Sequence, residues 1–420
     1  MEPMRLAILG CGSRGRTYSR IAATLEDRYK ITAVCDLVEA RTETIAKLSE
    51  SGEIQVFNNE DEFFAAGKLA DVLIIGTQDS DHFGHAKKAL EAGYDLLLEK
   101  PASETIDRCE ELDAMARSLG RIIVPCFVLR YTPFYEAVKS VIDSGRLGKV
   151  MTIHAMEGVE PFHHSHSYVR GHWANSNKSS PMIVAKCSHD TDLLCWLSDS
   201  ETESVTSHGR LDWFKKENAP AGAPERCTDG CPVADDCLYD THRYLGDKRN
   251  FLRMVMPGTE GVDGAKDASD EAILEFLKTS PWGRCAYRCD NDAVDHQVMA
   301  VEMKNGVTAS LTMTAFDCGR TLDVFGTRAS LRGGGQYQDG GTPELWLRDH
   351  RTGEVEAIPI DEKTDDGYQG HGGGDYGLVN SIDQLFRGDG ALSPGLDGLA
   401  GHRLAFLAEQ SRLDGGQPKC

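Results

Sequence analysis

Side chains able to move protons gather in two short stretches of this chain, each beside a turn or a helix start. The first is Glu99-Lys100-Pro101, which closes an apolar run. A lysine there can donate to a substrate hydroxyl, and its pKa falls if burial strips its water. A solvated lysine at a strand end is the plain alternative, and the residues weigh the two about equally. Pro101 fixes the local turn, and its peptide bond is a candidate for the cis form. The second stretch is Lys186-Cys187-Ser188-His189-Asp190-Thr191-Asp192, followed by the apolar Leu193-Leu194-Cys195-Trp196-Leu197. Histidine titrates near neutrality, so His189 is a candidate for proton transfer. Asp190 or Asp192 would cap the helix or hold the imidazole tautomer. A capped buried helix with an incidental histidine is the competing reading.

Two further clusters are open to chemistry. His163-His164-Ser165-His166, with His172-Trp173 soon after, could bind metal, but adjacent histidines point in different directions. A loop lining a polar pocket fits better, and Tyr168, Arg170 and Trp173 suit the grip on a sugar. Cys227-x3-Cys231-x5-Cys237 and Cys285-x3-Cys289 crowd five thiols into one section. The spacing is not that of a zinc knuckle, so structural zinc and unliganded thiols both stay open.

Proton removal from an alcohol is productive when a hydride leaves the same carbon, and the chain opens on a pattern that holds a hydride carrier. Leu6-Ala7-Ile8-Leu9 feeds into Gly10-Cys11-Gly12-Ser13-Arg14-Gly15, then a helix-compatible segment, then the strand Ile31-Thr32-Ala33-Val34-Cys35 ending in Asp36. Gly10 allows the tight turn, Gly12 the approach of backbone to a pyrophosphate, and Gly15 close packing of helix on strand. The helix N-terminus offers N–H groups and a positive dipole end to phosphates. Asp36 is placed to accept from the ribose hydroxyls of NAD and to repel the 2′-phosphate of NADP. Ser13, Arg14, Thr77, Glu99 and Lys100 complete the expected cofactor contacts. A second glycine match, Gly372 to Gly377, follows the polar run 363–366 rather than a buried strand and reads as a loop opening a helix.

The elements that must position these groups alternate in the first part of the chain. Strands end at Asp36, Phe57, Gly76, Glu99 and Phe127, with helices Glu39 to Ser49, Ser80 to Ala92 and Glu104 to Leu119 between them. That order builds a parallel doubly wound sheet over residues 1–128. Residues 129–420 change character. After the amphipathic helix Pro133 to Ser144, runs near 150–154, 297–303, 308–313 and 322–325 alternate as in a large, mostly antiparallel sheet with one covered face. Lys304-Asn305-Gly306-Val307 marks a hairpin. Residues 213–291, rich in cysteine, glycine and charge, read as an insertion, and two helices around a Pro/Gly-rich turn close the chain. The fold class is thus α/β, a Rossmann domain followed by an α/β domain.

With 45 basic and 66 acidic residues, a net charge of −21 argues against nucleic acid and anionic membranes as partners. No run of 18 apolar residues exists to span a bilayer. The first strand starts at Arg5, leaving no room for a leader, so a cytoplasmic location is expected. Thirteen cysteines, an odd and scattered count, then read as mostly reduced thiols.

Gly10-x-Gly12-x-x-Gly15, Asp36, Glu99-Lys100-Pro101 and the His189-x-x-Asp192 pattern together resemble the glucose–fructose oxidoreductase / inositol dehydrogenase / MocA family. The resemblance implies NAD(P)-linked chemistry on sugars, cyclitols or related polyols, and an open sheet that supports a homo-oligomer, dimer or tetramer. It places Lys100 at the substrate and makes His189 the acid/base. The family has an aspartate four residues before that histidine, where this chain has Ala185. Residues 186–192 resemble a Lys-Cys-x-His-Asp subgroup, in which Lys186 would replace the missing group and His371 and Asp375 join the substrate site. The expectation is an NAD-dependent dehydrogenase for a secondary alcohol of a sugar, sugar derivative or cyclitol. An NAD-dependent glycosidase working by transient oxidation and elimination is the alternative, and a non-catalytic NAD or sugar sensor the third.

Overall fold

The computed structural model describes residues 2–48, 54–257, 268–335, 343–361, 370–387 and 391–420. The end of the second expected helix (Ser49) and the polar run 363–366 lie outside them. Among the described residues, two sheets form the frame.

The first sheet contains β1 (Met4–Leu9), β2 (Tyr29–Cys35), β3 (Gln55–Phe57), β4 (Val72–Ile75), β5 (Asp95–Leu98) and β6 (Ile122–Pro125). All pairings are parallel. The four residues of β4 and the four of β6 are buried, as continuous apolar runs covered on both faces require. Helices Ser13–Ala23, Glu39–Ala46, Asp79–Glu91 and Ile106–Leu119 provide the cover. Gly120 takes the left-handed conformation that ends the last of them.

The second sheet is built from β7 (Val150–Val159), β8 (Thr202–Arg210), β9 (His296–Met303), β10 (Thr308–Thr314), β11 (Cys318–Gly326), β12 (Ala329–Gly335), β13 (Glu344–Asp349) and β14 (Val355–Ala357). Their order is β14-β13-β12-β11-β7-β10-β9-β8, antiparallel except for β7 beside β10. In β9 every second side chain (Gln297, Met299, Val301, Met303) is buried and the others are exposed, so one face is covered. Helices Ser188–Ser198 and Leu399–Leu413 pack together, and the latter lies on β8. The Asn305-Gly306 hairpin forms with Gly306 at φ +84°.

Three features differ from the sequence expectation. Strands β8, β12, β13 and β14 had no clear signal, because β8 is polar and β12 ends in three glycines. The first sheet has a seventh strand, β15 (Gly395–Leu396), which pairs with β6 after the chain returns from the second sheet. Helix Gly374–Asn380 also sends Leu378 and Val379 into the core under the first sheet. The section from 213 to 291 is mainly short 3-10 turns, with one helix at Asp270–Thr279.

Candidate active site

The glycine turn after β1 shows why each glycine is there. Gly10 sits at φ +91°, and a Cβ on it would lie 2.6 Å from the carbonyl carbon of Gly76 at the end of β4. A Cβ on Gly15 would collide with the Gly10 carbonyl, so helix and turn can meet this closely only without one. Gly12 has no atom within 4 Å of its missing Cβ, an open approach for a diphosphate. Ser13 opens the helix with no side-chain cap. Asp36 ends β2 against this turn, accepting the Cys11 N–H at 2.8 Å and the Val38 N–H at 2.9 Å. The Arg41 guanidinium lies 3.7 Å from it. The residues present fit a dinucleotide, with the diphosphate on the turn and the ribose toward Asp36. Thr77, after β4, holds His85 Nδ1 at 3.0 Å through its hydroxyl.

Arg14 turns inward. Its Nε donates to Glu99 Oε1 at 2.8 Å, and its terminal nitrogens hold both oxygens of Asp375 at 2.6 and 3.1 Å. Tyr18 donates to the same Glu99 oxygen at 2.6 Å. Burial pushes the Glu99 carboxyl up, but the Arg14 charge and these hydrogen bonds outweigh it and hold the group below its ordinary range. The Arg14 and His371 charges do the same for Asp375 against its own burial.

Lys100 follows Glu99 and precedes a cis bond to Pro101. Its Nζ donates to the Ala185 carbonyl at 2.6 Å, so it reaches from the first sheet to the second region. At Ala185 the chain therefore offers this lysine a backbone carbonyl rather than a side chain. Burial pushes the Lys100 ammonium down, with Glu99 and Asp79 partly offsetting it. Lys186 Nζ lies 3.1 Å from Glu157 Oε1. Glu157 stands directly across from Arg320 in the β7–β11 ladder, with Nε and Oε2 at 2.9 Å. Burial raises the Glu157 carboxyl despite the charges of Arg320 and Lys186.

His189 lies in the first turn of its helix, 5% exposed, with its ring 6.0 Å from Phe127 and 6.0 Å from His371. Neither neighbouring aspartate orients it, contrary to the expectation. Asp190 binds Arg320, its Oδ1 2.8 Å from Nε, and Asp192 binds Arg130, with Nε to Oδ2 at 2.6 Å. His189 Nδ1 has no hydrogen-bond partner among the described residues. Asp375 meets His371 Nδ1 at 3.1 and 3.2 Å.

The pocket loop divides. Trp173 Nε1 donates to Asp79 Oδ2 at 2.9 Å, next to the cofactor strands, and the Tyr168 ring lies 5.9 Å from Trp173. Arg170 is not available to a substrate. It is buried and donates to the carbonyls of Arg284 at 2.8 Å and Tyr239 at 2.6 Å, stitching the inserted section to the loop. Of the two readings of the cysteines, structural zinc finds no support. Among the described residues no group of three or more His, Cys, Asp or Glu is arranged to hold a metal. Cys231, Cys237, Cys285 and Cys289 pack instead with Phe214, Tyr239 and Tyr287, and Cys227 is a buried free thiol.

Glu157 and Arg320 are the site residues that sequence reasoning missed, and a signal existed. Ile153, Ala155, Glu157 and Val159 share one face of a strand, as do Arg320, Leu322 and Val324. A charge at a position reserved for apolar side chains marks a buried ion pair.

A family model described as oxidoreductase family, NAD-binding Rossmann fold, matches residues 4–127, and one described as GFO/IDH/MocA C-terminal domain matches residues 135–228. Together they cover more than half of the chain, which belongs to the Gfo/Idh/MocA oxidoreductase family. The chain is 25% identical to the protein YteT of Bacillus subtilis over 394 residues, 89% of this chain and 88% of that one. It is 28% identical to the scyllo-inositol 2-dehydrogenase (NAD(+)) of the same organism over 212 residues, 50% of this chain and 58% of the relative. An oxidoreductase from Agrobacterium radiobacter, solved in complex with NAD+, L-tartaric acid and magnesium, shares the fold. Its TM-score is 0.68 at 14% identity, covering 100% of this chain and 98% of that one. No helix among the described residues is long and apolar enough to cross a membrane.

Proposed function

We propose that this chain is an NAD-dependent dehydrogenase that oxidises a secondary alcohol of a sugar, sugar derivative or cyclitol. The observation that carries the proposal is the hydrogen bond from Lys100 Nζ, at the carboxyl end of a cofactor strand, to the Ala185 carbonyl at 2.6 Å, which brings this lysine to the segment that carries Lys186 and within reach of the His189 charge. NAD, when bound on the glycine turn, supplies a two-electron hydride acceptor. Lys100 and Lys186 orient and polarise the hydroxyl oxygen, and His189 takes its proton. Trp173 and Tyr168 offer aromatic faces to the ring of the substrate. The inositol dehydrogenase among the relatives supports a cyclitol or sugar, and the stretch 186–190 supports the Lys-Cys-x-His-Asp subgroup. Asp36 favours NAD over NADP, since a 2′-phosphate would meet its carboxylate. The glycosidase reading finds no support in these relatives.

Absorbance at 340 nm with NAD+ and a panel of cyclitols, aldoses and sugar acids is the test. Steady NADH formation with at least one of them is expected. Aglycone release from a glycoside with no net NADH, or nucleotide binding with neither activity, would refute the proposal.

A further inference from the structure

His189 is poorly placed to keep the proton it receives. Burial first, and then the charges of Lys100, His371, Arg320 and Lys186, hold its imidazolium form well below the usual histidine range. A buried neutral imidazole of this kind serves in turnover by handing its proton on.

His371 is built to take it. Its ring centroid is 6.0 Å from that of His189, a gap that one hydroxyl or water oxygen bridges, and its side chain is 41% exposed. Both oxygens of Asp375 face its Nδ1 at 3.1 and 3.2 Å. Asp375 is 2% exposed and is clamped by Arg14, which Glu99 holds in turn. An Nδ1–H donated to Asp375 leaves Nε2 to carry a proton. The backbone agrees with a fixed role, because His371 holds the left-handed φ 52°, ψ 40°, which non-glycine residues seldom occupy. The charged and titratable groups that face it are Asp375 on the following helix, with Arg14 of the first helix behind it, and His189 and His163.

We propose that His371, oriented by Asp375, receives the substrate proton from His189 and releases it to solvent. The relay rests on the dehydrogenase reading. In one turnover the C–H bond breaks and its electron pair leaves with the hydride for NAD+. The O–H bond breaks, and its proton passes to His189, then His371, then water, leaving ketone, NADH and H+. Asp375 and, through it, Arg14 tie this exit to the cofactor turn.

The test uses the full chain with NAD+ and its fastest polyol. H371Q should lower kcat by about 10²-fold with KM and NAD+ affinity unchanged. Its rate should rise with buffer concentration and recover with imidazole. D375N should lower kcat with the same dependence on buffer, because the His371 ring loses the carboxylate that orients it. Wild-type kcat and pH profile in H371Q, or a loss that no buffer restores, overturns the relay. A second measurement needs no substrate. In NAD+-saturated protein with isotope-labelled histidine, NMR should show the His371 ring hydrogen on Nδ1, toward Asp375, and its loss from Nδ1 in D375N, and an unchanged ring spectrum overturns the relay. A wild type that oxidises no polyol while the His371 ring spectrum changes as expected overturns the dehydrogenase reading and leaves the His371–Asp375 pair supported.

Discussion

Lys100 is the side chain around which the other site residues are arranged. Its ammonium is partly buried, so it has lost some of its water, and its hydrogen bond to Ala185 replaces only part of that loss. A donor held that way is strong toward an alkoxide-like oxygen, which is what hydroxyl oxidation develops. Lys100→Met is therefore expected to lower kcat by about 10²–10⁴-fold in protein that still binds NAD+. Fluorescence titration and NADH absorbance would show it, and wild-type turnover would remove Lys100 from the site. Asp36→Ala should narrow the preference for NAD+ over NADP+ in the same titration, and an unchanged ratio would contradict the role given to that carboxylate. The residue scale is also where sequence reading was most uneven. The places of Lys100 at a strand end and His189 at a helix start were legible because their motifs are local. Their partners were not, since Asp190 adjoins His189 in sequence yet faces Arg320, and successive helix residues do not face each other.

Elements were legible in proportion to the regularity of their burial. Strands β1, β2 and β4 to β6 are covered on both faces and read as apolar runs, while β9 and β10 are covered on one face and read as alternation. β15 has two residues and no pattern of its own, so only its partner β6 defines it. Leu311, 1% exposed on β10, tests whether the covered face of the second sheet holds the fold. Leu311→Ala should cost about 2–5 kcal/mol in chemical denaturation, the usual range for a deleted core side chain. A cost under about 0.5 kcal/mol would mean that this face is not a packed core.

Across the whole molecule, buried histidines set an acid limit. Burial lowers His164 and His402 to about 4 and His166 to about 3, against an ordinary value of 6.5. Below pH ~6.5 the unfolded chain takes up protons that the folded chain refuses, so stability falls as pH drops toward 4. Asp192, pushed up to about 6 by burial, opposes this, because its folded carboxyl gains a proton in the same window. Three histidines outweigh one aspartate, and Tm at pH 5 should lie several degrees below Tm at pH 7. An equal or higher Tm at pH 5 would contradict those burials. The outer face of the second sheet exposes Val298, Ala300 and Thr312 side by side on β9 and β10. A homo-oligomer is expected through that face, seen by light scattering as a dimer or tetramer that Val298→Asp disperses, and a monomeric wild type would count against it. A dinucleotide turn and the lysine–histidine site beside it are proposed together to oxidise a polyol. NADH absorbance at 340 nm on a cyclitol and sugar panel tests it most directly. NADH formation should need both NAD+ and one such alcohol and should collapse in Lys100→Met. No NADH from any member of the panel, with NAD+ bound, would contradict it.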